Sequence, residues 1–150
     1  MTRSIVEQAH DFYDAVPYEV PVPETSLYEL LDTAARLYPD RVALDYFGAT
    51  TTYAQVRDQV LRAARVLHEA GVRAGDTVAI ALPNCPQAFV AFYACMRIGA
   101  VAAQHNPLAP AQEIAGQLAR HGGRVAIVWE KCVDAYPLDA LDTVLTVDIS

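Results

Sequence analysis

The sequence predicts an α/β fold: a mostly parallel sheet flanked by helices, with an early antiparallel hairpin. Two observations carry that prediction. From Gly75 onward, short apolar runs alternate strictly with helix-period segments, the pattern of right-handed βαβ units. The runs at 77–82 and 124–129 are apolar on both faces, as strands are in a sheet covered on both sides.

The elements follow in chain order. Ile5, Ala9, Phe12 and Val16 lie on one face of a short helix. Pro17, Pro21 and Pro23 then make an extended link, because proline fixes φ and donates no N–H. Residues 1–25 are thus a lead-in, and 26–150 the α/β part. Ser26 with Glu29 three residues on is a capping-box start. Leu27, Leu30, Leu31, Ala34 and Leu37 give that helix an apolar face, and Pro39 ends it.

Residues 42–46 and 50–53 read as a hairpin turning at Gly48, an antiparallel addition at one sheet edge. A long helix over 54–70 turns Val56, Val60, Ala63, Ala64 and Leu67 inward. Its other face carries Asp58–Arg62 and Arg65–Glu69, pairs that fit a solvated surface. Gly71 closes it.

Beyond the strand at 77–82, Pro83-Asn84-Cys85-Pro86 opens an almost wholly apolar helix to Ile98, buried on most sides. A strand at 100–104 ends in His105-Asn106-Pro107. Pro110 stands at N1 of a helix with Ile114 and Leu118 inward, and Gly122-Gly123 stops it. A strand at 124–129, a weak helix at 138–141 and a strand at 143–149 complete the pattern.

Composition narrows the function. The chain has 150 residues, 53% of them hydrophobic, and a mean hydropathy of +0.16. Such a chain has material for a core and is not disordered as a whole. The run from Ala88 to Met96 is its longest unbroken apolar stretch, well short of the ~20 residues of a membrane-spanning helix. The acidic start, with Glu7, Asp11 and Asp14, is unlike a secretory signal. Three unpaired-looking cysteines predict reduced thiols and a cytoplasmic setting. Net charge is −7 with no Lys/Arg cluster, which argues against a nucleic-acid partner. The scattered histidines lack metal spacing, so no metal site is expected.

Ligands of α/β sheets bind beyond the carboxyl ends of the strands. The segments there are Pro-Asn-Cys-Pro, His-Asn-Pro-Leu and Glu-Lys-Cys. None is a glycine-rich phosphate cradle, and there is no Gly-x-Ser-x-Gly nucleophile turn. Cys85 at a helix start, with His105 after a neighbouring strand, is one thiol–imidazole candidate. A small buried hydrophobe is the commoner role of such a cysteine.

Six stretches in order carry a resemblance. Ser26-Leu27-Tyr28-Glu29-Leu30-Leu31 precedes Tyr38-Pro39-Asp40-Arg41-Val42-Ala43-Leu44. Thr51-Thr52-Tyr53-Ala54-Gln55-Val56 follows, then Gly75-Asp76-Thr77-Val78-Ala79-Ile80-Ala81-Leu82-Pro83-Asn84-Cys85-Pro86. Arg97-Ile98-Gly99-Ala100-Val101 and Asn106-Pro107-Leu108 complete the set. Together they resemble the N-terminal portion of AMP-forming acyl-CoA synthetases, in a form typical of medium- and long-chain fatty-acid–CoA ligases of the adenylate-forming superfamily.

The resemblance implies two steps: a fatty acid attacks ATP to give an acyl-adenylate and pyrophosphate, and coenzyme A thiol then displaces AMP. It also implies Mg²⁺ and a lysine that stabilises developing charge. The family's Thr-Gly-x-Pro-Lys phosphate loop and its catalytic lysine have no match here; Lys131 is the single lysine. The 150-residue chain is therefore expected to be inactive alone, to bind none of these cofactors tightly, and to hold no catalytic or metal-binding residue.

By the same resemblance, the loop His105-Asn106-Pro107 lies toward the coenzyme A side of the cleft, with Asn106 as donor or acceptor to a pantetheine amide. A simple chain turn is the plainer role for those residues. The full-length form is expected in the cytoplasm, or peripheral to a membrane. The positive hydropathy fits surfaces that meet the rest of such a ligase and that self-associate without it. Two alternatives stay open: a stand-alone, non-catalytic module binding acyl-CoA or a protein partner, and a nucleotide-binding α/β domain of another family. The missing glycine loop weighs against the second.

Overall fold

A computed structural model describes Ser4 and residues 21–149. The helix expected around Ile5–Val16, and Pro17 after it, lie outside the described residues; Pro21–Pro23 is exposed and irregular. The ordered elements begin with α1 (Leu27–Leu37), β1 (Val42–Tyr46), β2 (Ala49–Thr52) and α2 (Tyr53–Glu69). Then come β3 (Thr77–Ala81), α3 (Pro86–Ile98), β4 (Val101–Gln104), α4 (Ala111–His121) and β5 (Val125–Trp129). Two 3-10 turns, Glu130–Ala135 and Leu138–Ala140, lead to β6 (Thr143–Val147).

Local chemistry explains the helix starts. Ser26 accepts the Glu29 amide N–H while Glu29 accepts the Ser26 amide N–H, the reciprocal capping box expected. Thr52 and Gln55 repeat it at α2, at 3.3 and 2.8 Å. Pro110 is the N-cap of α4 rather than its first helical residue, and offers no side-chain cap.

β4-β3-β5-β6 form one parallel sheet. The central strands β3 and β5 are buried almost throughout, and the edges β4 and β6 are half-exposed. One face packs Val78, Ile80, Val125 and Ile127 against Leu67, Ala94 and Cys95 of α2 and α3. The other packs Ala79, Ala81, Ala126 and Val128 against Ile114 and Leu118 of α4 and against Tyr136. These alternating sets are the period-2 pattern of strands apolar on both faces.

Three further expectations are corrected. The hairpin β1–β2 is a two-stranded sheet of its own, not an added edge of the main sheet. It packs Ala43 and Leu44 beside Leu31, Val56 and Val60 of the two helices around it. The connection from β5 to β6 is two 3-10 turns, not one weak helix.

The third concerns burial. Only Leu31 and Ala35 of α1 are buried, and Leu27, Leu30 and Leu37 are exposed. α3 buries Ala91, Ala94 and Cys95 but leaves Phe89, Val90, Phe92, Tyr93 and Met96 half-exposed. The periodicity locates the apolar stripes correctly, yet the described residues do not cover them. On α2 the expected face is buried at Val56, Val60, Ala64 and Leu67, and Asp58 pairs with Arg62 at the surface.

Candidate functional site at the carboxyl end of the sheet

Chain order places the switch in sheet direction between β3 and β5. β3 leads outward to β4, and the chain then crosses back to β5 and β6. Beyond the carboxyl ends of β3 and β4 lies an open cavity of about 510 Å³. Its floor is Ile80, Leu82, Gln104 and His105; its walls are Asn84–Pro86, Phe89, Phe92 and Tyr93 of α3, and Leu44–Tyr46 of the hairpin. Phe89 stacks on Tyr93 with ring centroids 4.5 Å apart, and Phe92 meets Tyr93 edge-on at 5.5 Å. The lining is mainly apolar with a few polar groups, which suits an organic ligand better than a bare ion.

His105 is buried, and both its ring nitrogens are engaged. Nδ1 lies 3.2 Å from the Tyr136 hydroxyl, and Nε2 lies 2.9 Å from Nε2 of His121. Burial, and then the neighbouring His121, lower the His105 pKa; burial also lowers that of His121. Burial raises the Tyr136 phenol to about 12. Both ring nitrogens of His105 are thus directed to Tyr136 and His121 rather than to Cys85, although both residues line the cavity. Cys85 is a buried N-cap residue without a side-chain cap bond.

Asn106 is exposed, and its Oδ1 accepts the Leu108 amide N–H at 3.0 Å in an Asx turn. The carbonyl is thus used by the turn, leaving the NH₂ group for any ligand. Pro107 is half-buried and Leu108 is 74% exposed. The structure therefore brings His105 to the cavity and sets Asn106 and Pro107 on the rim loop that follows it. The aromatic wall from α3 escapes the sequence reading, which takes Phe89, Phe92 and Tyr93 as core; their half-exposure follows from packing the sequence does not state.

A second, mainly apolar groove of about 590 Å³ runs between α2, α3 and strands β5 and β6, past Val66, Val90, Ile127 and Leu145. Among the described residues, no group of three His, Cys, Asp or Glu side chains could hold a metal ion. No helix among them is long and apolar enough to cross a membrane. No described residue is assigned to Mg²⁺ or its triphosphate, and no chemical step is routed through them.

Comparison with known proteins agrees with this architecture. The family described as AMP-binding enzyme matches residues 31–149. The long-chain-fatty-acid–CoA ligase of Bacillus subtilis is 32% identical over 108 residues, 72% of this chain and 19% of that protein. The acetyl-coenzyme A synthetase of Emericella nidulans is 45% identical over 80 residues, 49% of this chain and 12% of that protein. The N-terminal domain of FACL13 from Mycobacterium tuberculosis superposes with a TM-score of 0.76 at 27% identity, over 83% of this chain and 34% of that one. The chain spans under a fifth of the length of these two curated relatives. It belongs to the AMP-binding enzyme family, the adenylate-forming ligases, and has the fold of part of their N-terminal domain.

Proposed function

We propose that this chain is the N-terminal part of a medium- or long-chain fatty-acid–CoA ligase, working in the cytoplasm with ATP, Mg²⁺ and coenzyme A. The observation that carries the reading is the similarity to a long-chain-fatty-acid–CoA ligase through most of the chain, joined to a mainly apolar cavity at the carboxyl end of the sheet.

In this reading the chain supplies one wall of the cleft. The aromatic side chains of α3 exclude water from it, and the rim loop His105-Asn106-Pro107 faces the coenzyme. Asn106 donates from its amide NH₂ to a pantetheine carbonyl, since its own carbonyl is committed to the turn. Phosphate contacts and the charge-stabilising lysine come from sequence with no counterpart here, so the 150 residues alone do not turn over. The exposed leucines of α1 and the groove beside β6 are surfaces for the rest of the ligase, and self-associate without it.

A second reading, a non-catalytic module that binds acyl-CoA, draws on the same cavity. Thermal unfolding with saturating coenzyme A or palmitoyl-CoA separates the two. The ligase-part reading expects no rise in melting temperature with either compound. A rise that Asn106→Ala abolishes supports the stand-alone module, because a ligand bound only by the folded state stabilises it by mass action.

A further inference from the structure

The chain of bonds through His105 has only one consistent proton arrangement. Gly123 donates its backbone N–H to Nδ1 of His121 at 3.0 Å. A neutral His121 must then carry its proton on Nε2. That proton points at Nε2 of His105, 2.9 Å away, which therefore accepts. A neutral His105 in turn carries its proton on Nδ1 and donates to the Tyr136 oxygen at 3.2 Å. The reverse polarity would set two N–H donors against each other at Gly123. The tautomers are thus dictated by one backbone amide.

This arrangement leaves no vacant ring lone pair. A proton added to either imidazole must displace a hydrogen bond. If it is shared between the two Nε2 atoms, His121 gains an Nδ1–H and loses the Gly123 amide. A second proton sets two Nε2–H donors face to face and parts the rings. Around the pair stand Arg120 beside His121 on α4, the carbonyl of Thr77 on β3 next to Gly123, and Tyr136 with Cys132 behind it on the β5–β6 connection. Arg120 repels a proton on His121, a hydrogen bond to the backbone of His121 itself favours one, and no carboxylate stands among these groups.

We propose that His105 and His121 form an acid-sensitive latch. Neutral, it ties the end of β4 to the turn from α4 into β5; protonated, it first frees Gly123 and then separates the two rings, loosening the rim of the cavity that His105 lines. The latch does not depend on what the cavity binds.

The experiment is a long-range ¹⁵N–¹H imidazole correlation on the 150-residue chain, with amide exchange at Gly123 and Leu108, from neutral pH down to about 5. At neutral pH, the expected pattern is a protonated Nε2 on His121 and a protonated Nδ1 on His105. On acidification, Gly123 loses protection first and Leu108 later, after correction for the intrinsic pH dependence of exchange. Tyr136→Phe should keep the Gly123 response, and His121→Phe should remove it. The opposite tautomer on either ring, or Gly123 protection that survives protonation of both histidines, overturns the proposal. The wild-type spectra decide the matter even if a variant fails to fold.

Discussion

Gly123 lies so close beneath Thr77 that a Cβ on it would stand 2.7 Å from the Thr77 carbonyl oxygen and 2.9 Å from Nδ1 of His121. Backbone oxygen cannot move aside without disturbing β3, so the position demands glycine for space. Gly123→Ala should destabilise the chain by about 1–3 kcal/mol, the usual cost of overpacking. Gly116 is the internal comparison. It sits within α4, and a Cβ there would meet nothing within 4 Å, so Gly116→Ala should stabilise by about 0.5–1 kcal/mol. Urea unfolding of the two variants reads both signs.

The α2 cap gives a second prediction. Thr52→Ala removes the acceptor for the Gln55 amide and should cost about 1 kcal/mol. Gln55→Glu should be nearly neutral, because either side chain can accept the Thr52 amide as Gln55 does at 2.8 Å. Equilibrium unfolding of both variants checks the pair.

The fold is legible in the sequence where its chemistry is local. Ser26 with Glu29, Gly99 and Gly122 in left-handed cap positions, and apolar alternation in β3 and β5 need only near neighbours along the chain. Two things depend on distant partners. The hairpin stands apart because its strands pack on α1 and α2, which a period-2 pattern does not specify. The exposure of Leu30, Leu37 and the α3 aromatics depends on what covers them, and periodicity reports only that something should. At the site, the same limit hides the His105–His121 contact: the residues are sixteen apart and meet only because α4 lies over the sheet.

Alkaline stability follows from two buried acids. Burial raises the Cys95 thiol from its usual 9.0 to about 11 and the Tyr136 phenol from 10.0 to about 12. Both ionise more readily in the unfolded chain. Their contribution is intact below about pH 9, then falls as pH rises through 9–11 for Cys95 and 10–12 for Tyr136. Urea midpoints should decline across that range, and Cys95→Ala should flatten the first part. Thiol titration gives a companion result: half-exposed Cys132 should react before buried Cys85 and Cys95.

The uncovered apolar surface predicts association. Leu37 is 64% exposed and Leu30 50%. Replacing both with Glu should raise the monomer fraction in sedimentation velocity without lowering the unfolding midpoint. A wild-type chain that stays monomeric at high concentration would remove the self-association reading.

The ligase reading is tested most directly by fatty-acid-dependent exchange of pyrophosphate into ATP. It should be measured on the 150-residue chain and on the Bacillus subtilis ligase carrying residues 31–149 in place of its matching segment. The account predicts background exchange from the chain alone and exchange that requires a fatty acid from the graft. Exchange by the chain alone, or a folded graft that accepts only short acids such as acetate, would contradict it.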